Sequence, residues 1–118
     1  MLSEAQTSPT EANLIEFSTL DLIRAMLHLQ RIDYEIVKHG KLIHVFAKNV
    51  VIVISEWARP LDSRTLFNIL KRVEGKADKV LLITRKLSEH AKETIVRRRL
   101  PVVLIPNNEV LGILDYLS

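Results

Sequence analysis

The alternation of apolar and polar positions divides the chain into a series of predicted helices and strands. A broad apolar helical face starts near Ser18, and three extended runs follow it. The third run, VVIVIS, is continuously apolar, which is typical of a central strand covered on both faces. Beyond it, helical periodicity alternates with short apolar runs. The predicted elements are a helix from residue 18, strands 34–38, 42–47 and 50–55, a helix 62–74, a strand 79–84, a helix 88–99, a strand 101–106 and a helix 108–117.

The connections between these elements predict how the strands pair. His39-Gly40 and Lys48-Asn49 are short turns, so the first three strands should form antiparallel hairpins. Each later strand is separated from the previous one by a helix, which requires a crossover and therefore parallel pairing. The order α-β-β-β-α-β-α-β-α thus predicts an α/β fold with a mixed sheet and helices on both faces.

Length and composition favour one globular domain of an ordinary kind. The chain has 118 residues, and we expect a flexible polar tail over residues 1–16 followed by a single domain over residues 17–118. The absence of cysteine excludes disulfides and thiolate metal sites. No apolar run reaches the roughly 18 residues of a membrane span, and the N-terminus lacks the pattern of a signal peptide. We therefore expect a cytoplasmic protein with no membrane partner.

The charge is unevenly distributed along the chain. Glu4, Glu11 and Glu16 precede Phe17 and no basic residue does, so residues 17–118 carry 17 basic and 11 acidic side chains. This excess favours a polyanionic partner, although a merely soluble basic surface is the plain alternative.

Basic residues are the strongest candidate binding groups. Arg85 and Lys86 follow a buried strand at its carboxyl end, where open α/β sheets commonly bind ligands. Ser88 opens the next helix, whose amino-terminal amides can accept a phosphate. The arginines at the end of this helix also interact favourably with the helix dipole, which would explain their presence without a ligand. The candidate phosphate contacts are Arg59, Arg64, Arg85, Lys86, Arg97, Arg98 and Arg99.

The segment SEWARPLDSRTLFNILKRVEGKADKVLLITRKLSEHAKETIVRRRLPVVLIPNNEVLGIL resembles the second half of an Mrr-type restriction endonuclease domain. It is also similar to the archaeal Holliday junction resolvases of the same restriction-endonuclease-like, or PD-(D/E)XK, superfamily. The likeness lies in a strand that leads through a basic segment and a proline into a helix, a buried strand ending in Thr, and a Ser-x-x-Ala helix. It covers about residues 50–115, whereas residues 17–49 match only in the order of elements. The resemblance implies a restriction-endonuclease-like mixed sheet.

The resemblance also implies catalytic positions, and these are altered. Such enzymes hold a divalent cation with an Asp on the second strand and a Glu/Gln-x-Lys on the third. Alignment places Val53 at the Glu/Gln position and Ser55 at the lysine position, and no acidic residue lies between Glu35 and Glu56. We therefore expect a catalytically degenerate domain with no cofactor, which binds nucleic acid, DNA rather than RNA, through its backbone phosphates.

Three alternatives stay open. Glu35 and Glu56 could form a relocated carboxylate site for Mg²⁺, which would make the protein a metal-dependent nuclease. Tyr34, His44 and Lys79 occur in the order of the metal-independent triad of tRNA splicing endonucleases. The apolar segment VLGILDYL could instead serve as the interface of an accessory subunit in a nuclease or helicase complex. The resemblance to the resolvases further implies a homodimer.

Overall fold

The computed structural model describes residues 19–55 and 59–117. The predicted tail over residues 1–16, the start of the first helix at Ser18, and Glu56 lie outside the described residues. The helices are α1 over residues 19–29, α2 over Ser63–Val73 and α3 over Glu89–Arg98, with a 3₁₀ helix over Asn107–Tyr116. The strands are β1 over Tyr34–His39, β2 over Leu42–Ala47, β3 over Val50–Ser55, β4 over Lys79–Ile83 and β5 over Val102–Leu104.

The strands form a five-stranded mixed sheet in the order β1-β2-β3-β4-β5. The two hairpins pair antiparallel, and β3-β4 and β4-β5 pair parallel. The predicted mixed sheet and element order are confirmed. In the register at the centre of the sheet, Val53 pairs with His44 on one side and Leu82 on the other.

The two hairpin turns use left-handed backbone conformations. Gly40 has φ +62°, and Lys48 reaches φ +54° despite carrying a side chain. His39 pairs with Leu42, so β1 extends one residue further than predicted and the first loop is Gly40-Lys41. Glycine at the first loop position relieves the steric cost of positive φ, which is why the turn falls there.

The sheet is covered on both faces, as predicted. Against one face, α1 and the 3₁₀ helix bury Leu27 and Ile113 beside Ile52 of the central strand. Against the other face, α2 and α3 form a second core that includes Ile69, Ala91 and other residues of these helices and of the sheet. The alternation of side chains along β3 therefore feeds two separate cores, and this explains the continuously apolar sequence of the strand.

The last two elements differ from prediction. The segment 102–104 of β5 is shorter than the predicted 101–106, because Pro101 and Pro106 lack the backbone N–H that a paired strand donates. The C-terminal helix is of the 3₁₀ type, with a kink at Glu109 and no side-chain cap at Pro106. Gly112 lies within it and costs about 1 kcal/mol of α-helical propensity relative to Ala. Among the described residues, no helix combines the length and apolarity needed to cross a membrane.

Candidate nucleic-acid interface

The position where the resemblance places a metal-binding carboxylate is part of the core. Val53 is fully buried and lies in the cluster formed by α2, α3 and the sheet. Ser55, at the lysine position, pairs with Leu42 at the end of β3 and is buried as well. The two side chains share the α2 face, since they are two residues apart on one strand. The residue types in this part of β3 are therefore explained by packing in the core and not by binding of a cation.

His44 lies directly beside Val53 on the same face of the sheet. Its side chain is 1% exposed, and neither ring nitrogen has a hydrogen-bond partner. Burial lowers the pKa of His44 to about 4, with smaller contributions from His39 and Arg72. The His39 ring lies edge-on at 5.0 Å between centroids. His44 is therefore a neutral imidazole at pH 7. Within residues 19–55 and 59–117, no group of three His, Asp or Glu side chains is placed to hold a metal ion.

Glu35, one half of the proposed relocated carboxylate site, is exposed on the edge strand β1. It pairs with Phe46, which in turn pairs with Val51 near the start of β3. The end of β3, which precedes Glu56, is instead level with His39, four residues further along β1. Glu56 lies outside the described residues, so the Mg²⁺ site of Glu35 and Glu56 stays a prediction.

The prediction of a catalytic triad of Tyr34, His44 and Lys79 is wrong. Tyr34 pairs with Ala47, which packs in the core on the α1 face, whereas His44, three residues before Ala47, faces α2. Tyr34 accepts a hydrogen bond from Arg24 Nε at 3.3 Å, and Lys79 Nζ lies 5.3 Å from the centroid of the Tyr116 ring. The sheet thus separates the histidine from the tyrosine, and the three groups cannot act on one substrate atom.

Four of the predicted phosphate contacts are gathered at the carboxyl ends of β3 and β4. Two connecting segments meet there through a parallel bridge between Leu61 and Leu87. The Leu61 amide donates to the Lys86 carbonyl at 3.0 Å, and the Ser88 amide donates to the Leu61 carbonyl at 3.0 Å. We call this region the basic end; its predicted cations, all exposed, are Arg59, Arg64, Arg85 and Lys86.

The basic end also contains the starts of α2 and α3. The carboxylate of Asp62 caps α2 by accepting a hydrogen bond from the Thr65 amide at 2.9 Å, and this bond holds the pKa of Asp62 below its usual range. Ser88 Oγ caps α3 by accepting from the Ala91 amide at 3.1 Å, as predicted. Both helix dipoles consequently direct their positive ends toward the same region as the arginines.

The other three predicted contacts lie elsewhere. Arg97, Arg98 and Arg99 close α3, which spans ten residues and hence about 15 Å from the basic end. The Arg98 guanidinium lies 5.5 Å from the centroid of the Phe67 ring on α2, and Arg99 ends the helix in the left-handed conformation at φ 52°. The structure therefore divides the predicted basic residues into two groups.

A hollow of about 250 Å³ opens between the ends of β4 and β5 and the first turn of α3. We call it the β4–β5 hollow. Arg85, Lys86 and Lys92 supply its cations. Buried Leu82, Leu87 and Ile105 form its floor, and the more exposed Leu104 and Pro106 form a wall.

Two lysines at the basic end were missed by sequence reasoning. Lys92 lies in the first turn of α3, where the positive end of the helix dipole disfavours a cation. This unfavourable placement is the feature from which the sequence could have indicated a binding role for Lys92. It makes a 3.3 Å ion pair with Glu89. Lys41 follows Gly40 in the first hairpin, which the pairing of Leu42 with Ser55 brings level with the end of β3. No local pattern indicates that proximity, because it depends on strand register.

The C-terminal segment buries most of its apolar side chains within the chain itself. Val110, Ile113 and Leu117 belong to the core on the α1 face, while Leu111 is 63% exposed. The wide apolar spread of this segment is therefore largely explained by internal packing.

Together these features define an α/β protein with a mixed sheet, two cores and a basic end at which two helices begin. No protein-family model matches the chain, and neither does any curated protein. Among solved structures, the MspJI restriction endonuclease in complex with a 27-mer oligonucleotide is similar, with 12% sequence identity and a TM-score of 0.46. The similarity covers 85% of this chain and 27% of that one, so the chain spans about a quarter of the length of that structure. At this level the likeness carries no inference about activity or ligand.

Proposed function

We propose that this chain is a restriction-endonuclease-like scaffold that binds nucleic acid, DNA in preference to RNA, through backbone phosphates at the basic end. The observation that carries the proposal is the Leu61–Leu87 bridge. It joins the segment that follows Arg59 to the one that contains Arg85 and Lys86, at the sheet end where α2 and α3 begin. A nucleic-acid backbone provides phosphates for both the side chains and the helix termini.

The chemistry of these residues suits phosphate rather than a base edge. Arginine presents a planar fork that can donate two hydrogen bonds to one phosphate, and lysine adds a mobile point charge. Such contacts carry no sequence information and release condensed counterions when they form. Binding should therefore be tolerant of sequence and strongly dependent on salt.

We propose binding without cleavage because Val53 and Ser55 occupy the positions that would need a carboxylate and a lysine. The register puts neutral His44 and apolar Leu82 beside Val53, so no neighbouring acid on β2 or β4 takes its place there. Incubating duplex and branched DNA with Mg²⁺ or Mn²⁺ tests this step. Cleavage that disappears in Glu35→Ala or Glu56→Ala would support the relocated carboxylate site instead.

Equilibrium binding at two salt concentrations tests the proposal as a whole. Four phosphate contacts give a slope of about −3.6 for log K against log salt, and hence roughly a hundredfold loss of affinity between about 50 and 200 mM salt. Fluorescence anisotropy with labelled duplex DNA and duplex RNA measures this slope and the preference between them. An affinity that does not change with salt would contradict phosphate binding.

An accessory role in a nuclease or helicase complex is the second candidate, and the exposed side chain of Leu111 favours it. In this role the C-terminal segment would bind a partner protein, or a second copy of the chain, rather than nucleic acid. Light scattering of the purified protein and pull-down in the absence of nucleic acid distinguish it from the first candidate. A stable complex that is lost in Leu111→Asn would support it.

A further inference from the structure

We propose that the β4–β5 hollow accepts one unpaired or terminal nucleotide of a nucleic-acid strand. The phosphate would bind Arg85, Lys86 and Lys92, and the base would lie against the exposed apolar wall of Leu104 and Pro106. This inference rests on the proposed function, because the same two residues, Arg85 and Lys86, belong to the basic end.

The hollow has two chemically different sides. Its cations are exposed at the rim, whereas Leu82, Leu87 and Ile105 are buried beneath it. Leu104, the last residue of β5, leaves 41% of its surface exposed at the wall. A ligand that fits both sides must carry negative charge at one end and a largely apolar surface at the other, as a nucleotide does.

The size of the hollow limits its occupant to the base of one nucleotide, with the phosphate at the rim. Its volume of about 250 Å³ lies just below the range of small-molecule sites, which starts at about 300 Å³. Proteins that take up an extruded base enclose it in a pocket of this kind and pack it between apolar or aromatic side chains. The hollow is only partly enclosed, so a nucleotide that remains attached to its strand can enter.

An intact duplex cannot use the apolar wall of the hollow. Its bases are stacked inside and only its phosphates and groove edges are accessible, so it would touch the cationic rim alone. An unpaired base has already lost its pairing partner and enters at a lower cost. The hollow should therefore add affinity for tails, bulges and strand ends beyond the affinity for continuous duplex.

A comparison of two DNA probes tests the inference. One is a short duplex closed at both ends by flexible non-nucleotide linkers, and the other is the same duplex with one unpaired tail. We expect the tailed probe to bind roughly tenfold more tightly. Deoxyadenosine monophosphate should compete with the tailed probe at concentrations where inorganic phosphate does not.

A wall variant and a rim variant separate the two sides of the hollow, and a third variant is the control. Leu104→Asn should remove the preference for the tailed probe and leave binding of the closed duplex unchanged. Leu29→Asn, at an exposed position on α1, should alter neither. A rim variant, Lys86→Gln, should weaken binding of both probes. Thermal melting confirms that each variant is folded, and the mononucleotide competition on the unmodified protein does not depend on any variant.

The outcomes distinguish this inference from the proposed function. Salt-dependent binding that is equal for the two probes, or a preference that survives Leu104→Asn, would overturn the nucleotide site while leaving phosphate binding intact. The absence of salt-dependent binding to either probe would overturn both.

Discussion

His44 is a buried polar side chain that the fold leaves without a hydrogen-bond partner. Its neighbours across the sheet are Val37 and Val53, and the groups that lower its pKa besides burial are the His39 ring and the Arg72 guanidinium. Protonation would add a charge in an apolar surrounding, and the positive charge of Arg72 would oppose it further. The neutral form of His44 is therefore linked to folding.

The pH dependence of stability follows from this linkage. The folded pKa of His44 is about 4 against an ordinary value of 6.5, so the unfolded chain binds a proton that the folded chain does not. The contribution of neutral His44 to the free energy of unfolding is fully present above pH 6.5. It is lost as the pH falls toward 4, and the total loss is about 3 kcal/mol. Urea unfolding from pH 4.5 to 7.5 should show a free energy of unfolding that rises with pH. The His44→Leu substitution should flatten this slope.

His28 provides the control for this prediction. It is exposed on α1, so His28→Gln should leave the slope as it is in the unmodified protein. Carboxylates titrate near the lower end of the range and affect all three proteins alike, which is why the difference between variants is the quantity to compare. Equal slopes in His44→Leu and the unmodified protein would refute the linkage.

Val53 tests whether the position expected to hold a metal ligand is open or packed. Val53→Glu would place a carboxylate in the core beside neutral His44, and we expect a loss of about 3 kcal/mol or more in the free energy of unfolding. Val96→Glu is the matched control, because Val96 is 77% exposed on α3 and should change stability by less than about 0.5 kcal/mol. A folded, stable Val53→Glu protein would show that the position is open.

At the scale of elements, the starts of α2 and α3 build the basic end. Both helices begin with a side-chain cap directly after a segment that leaves the sheet, and the two segments pair with one another at Leu61 and Leu87. The caps satisfy amides that would otherwise need water or a ligand. The cap residues consequently determine where each helix starts and which amides remain available for phosphate.

Removal of one cap should have a measurable cost. Asp62→Ala loses the hydrogen bond from the Thr65 amide, and we expect about 1 kcal/mol of destabilisation, whereas Asp62→Asn should retain most of the cap. The pKa of Asp62 is lowered from 3.8, so its contribution is present above that pH and lost as the pH falls below it. Urea unfolding at pH 7 measures the difference, with Asp115→Ala as an exposed carboxylate control. Equal destabilisation by Asp62→Ala and Asp115→Ala would contradict a capping role.

Much of the fold was predictable from short-range patterns. Continuous apolarity placed β3 in the centre, Gly40 located the first hairpin, and the Ser88 cap marked the start of α3. The end of the chain was harder, because the 3₁₀ type and the kink at Glu109 depend on how Val110, Ile113 and Leu117 pack beneath the sheet. Apolar periodicity located that helix and not its type.

The candidate site was predictable only in part. Arg85 and Lys86 could be placed at the carboxyl end of a strand from their position after KVLLIT. Their association with the segment after Arg59 depends on the Leu61–Leu87 bridge, which joins residues distant in sequence and has no local signature. The separation of Arg97–Arg99 from the basic end follows from the direction and length of α3, which is a property of the assembled sheet.

On the scale of the whole molecule, the basic residues of the α2 and α3 layer fall into two groups. The basic end lies where these helices start, and Lys71, Arg72, Arg97 and Arg98 lie in their last turns. The latter positions also suit the helix dipoles, so they have a structural explanation that the basic end lacks. We therefore expect the phosphate contacts to be concentrated at the basic end, and Arg97–Arg99 to contribute only if the nucleic acid extends along α3.

A charge-matched pair of double variants tests this account most directly. Arg85→Gln with Lys86→Gln removes two cations from the basic end, whereas Lys48→Asn with Lys76→Gln removes two exposed cations from the turns at the opposite end of the sheet. Asparagine suits the left-handed backbone at position 48. Binding of labelled duplex DNA across a salt titration should show a slope reduced by about 2 for the first pair and unchanged for the second. Equal slopes for the two pairs would contradict binding at the basic end.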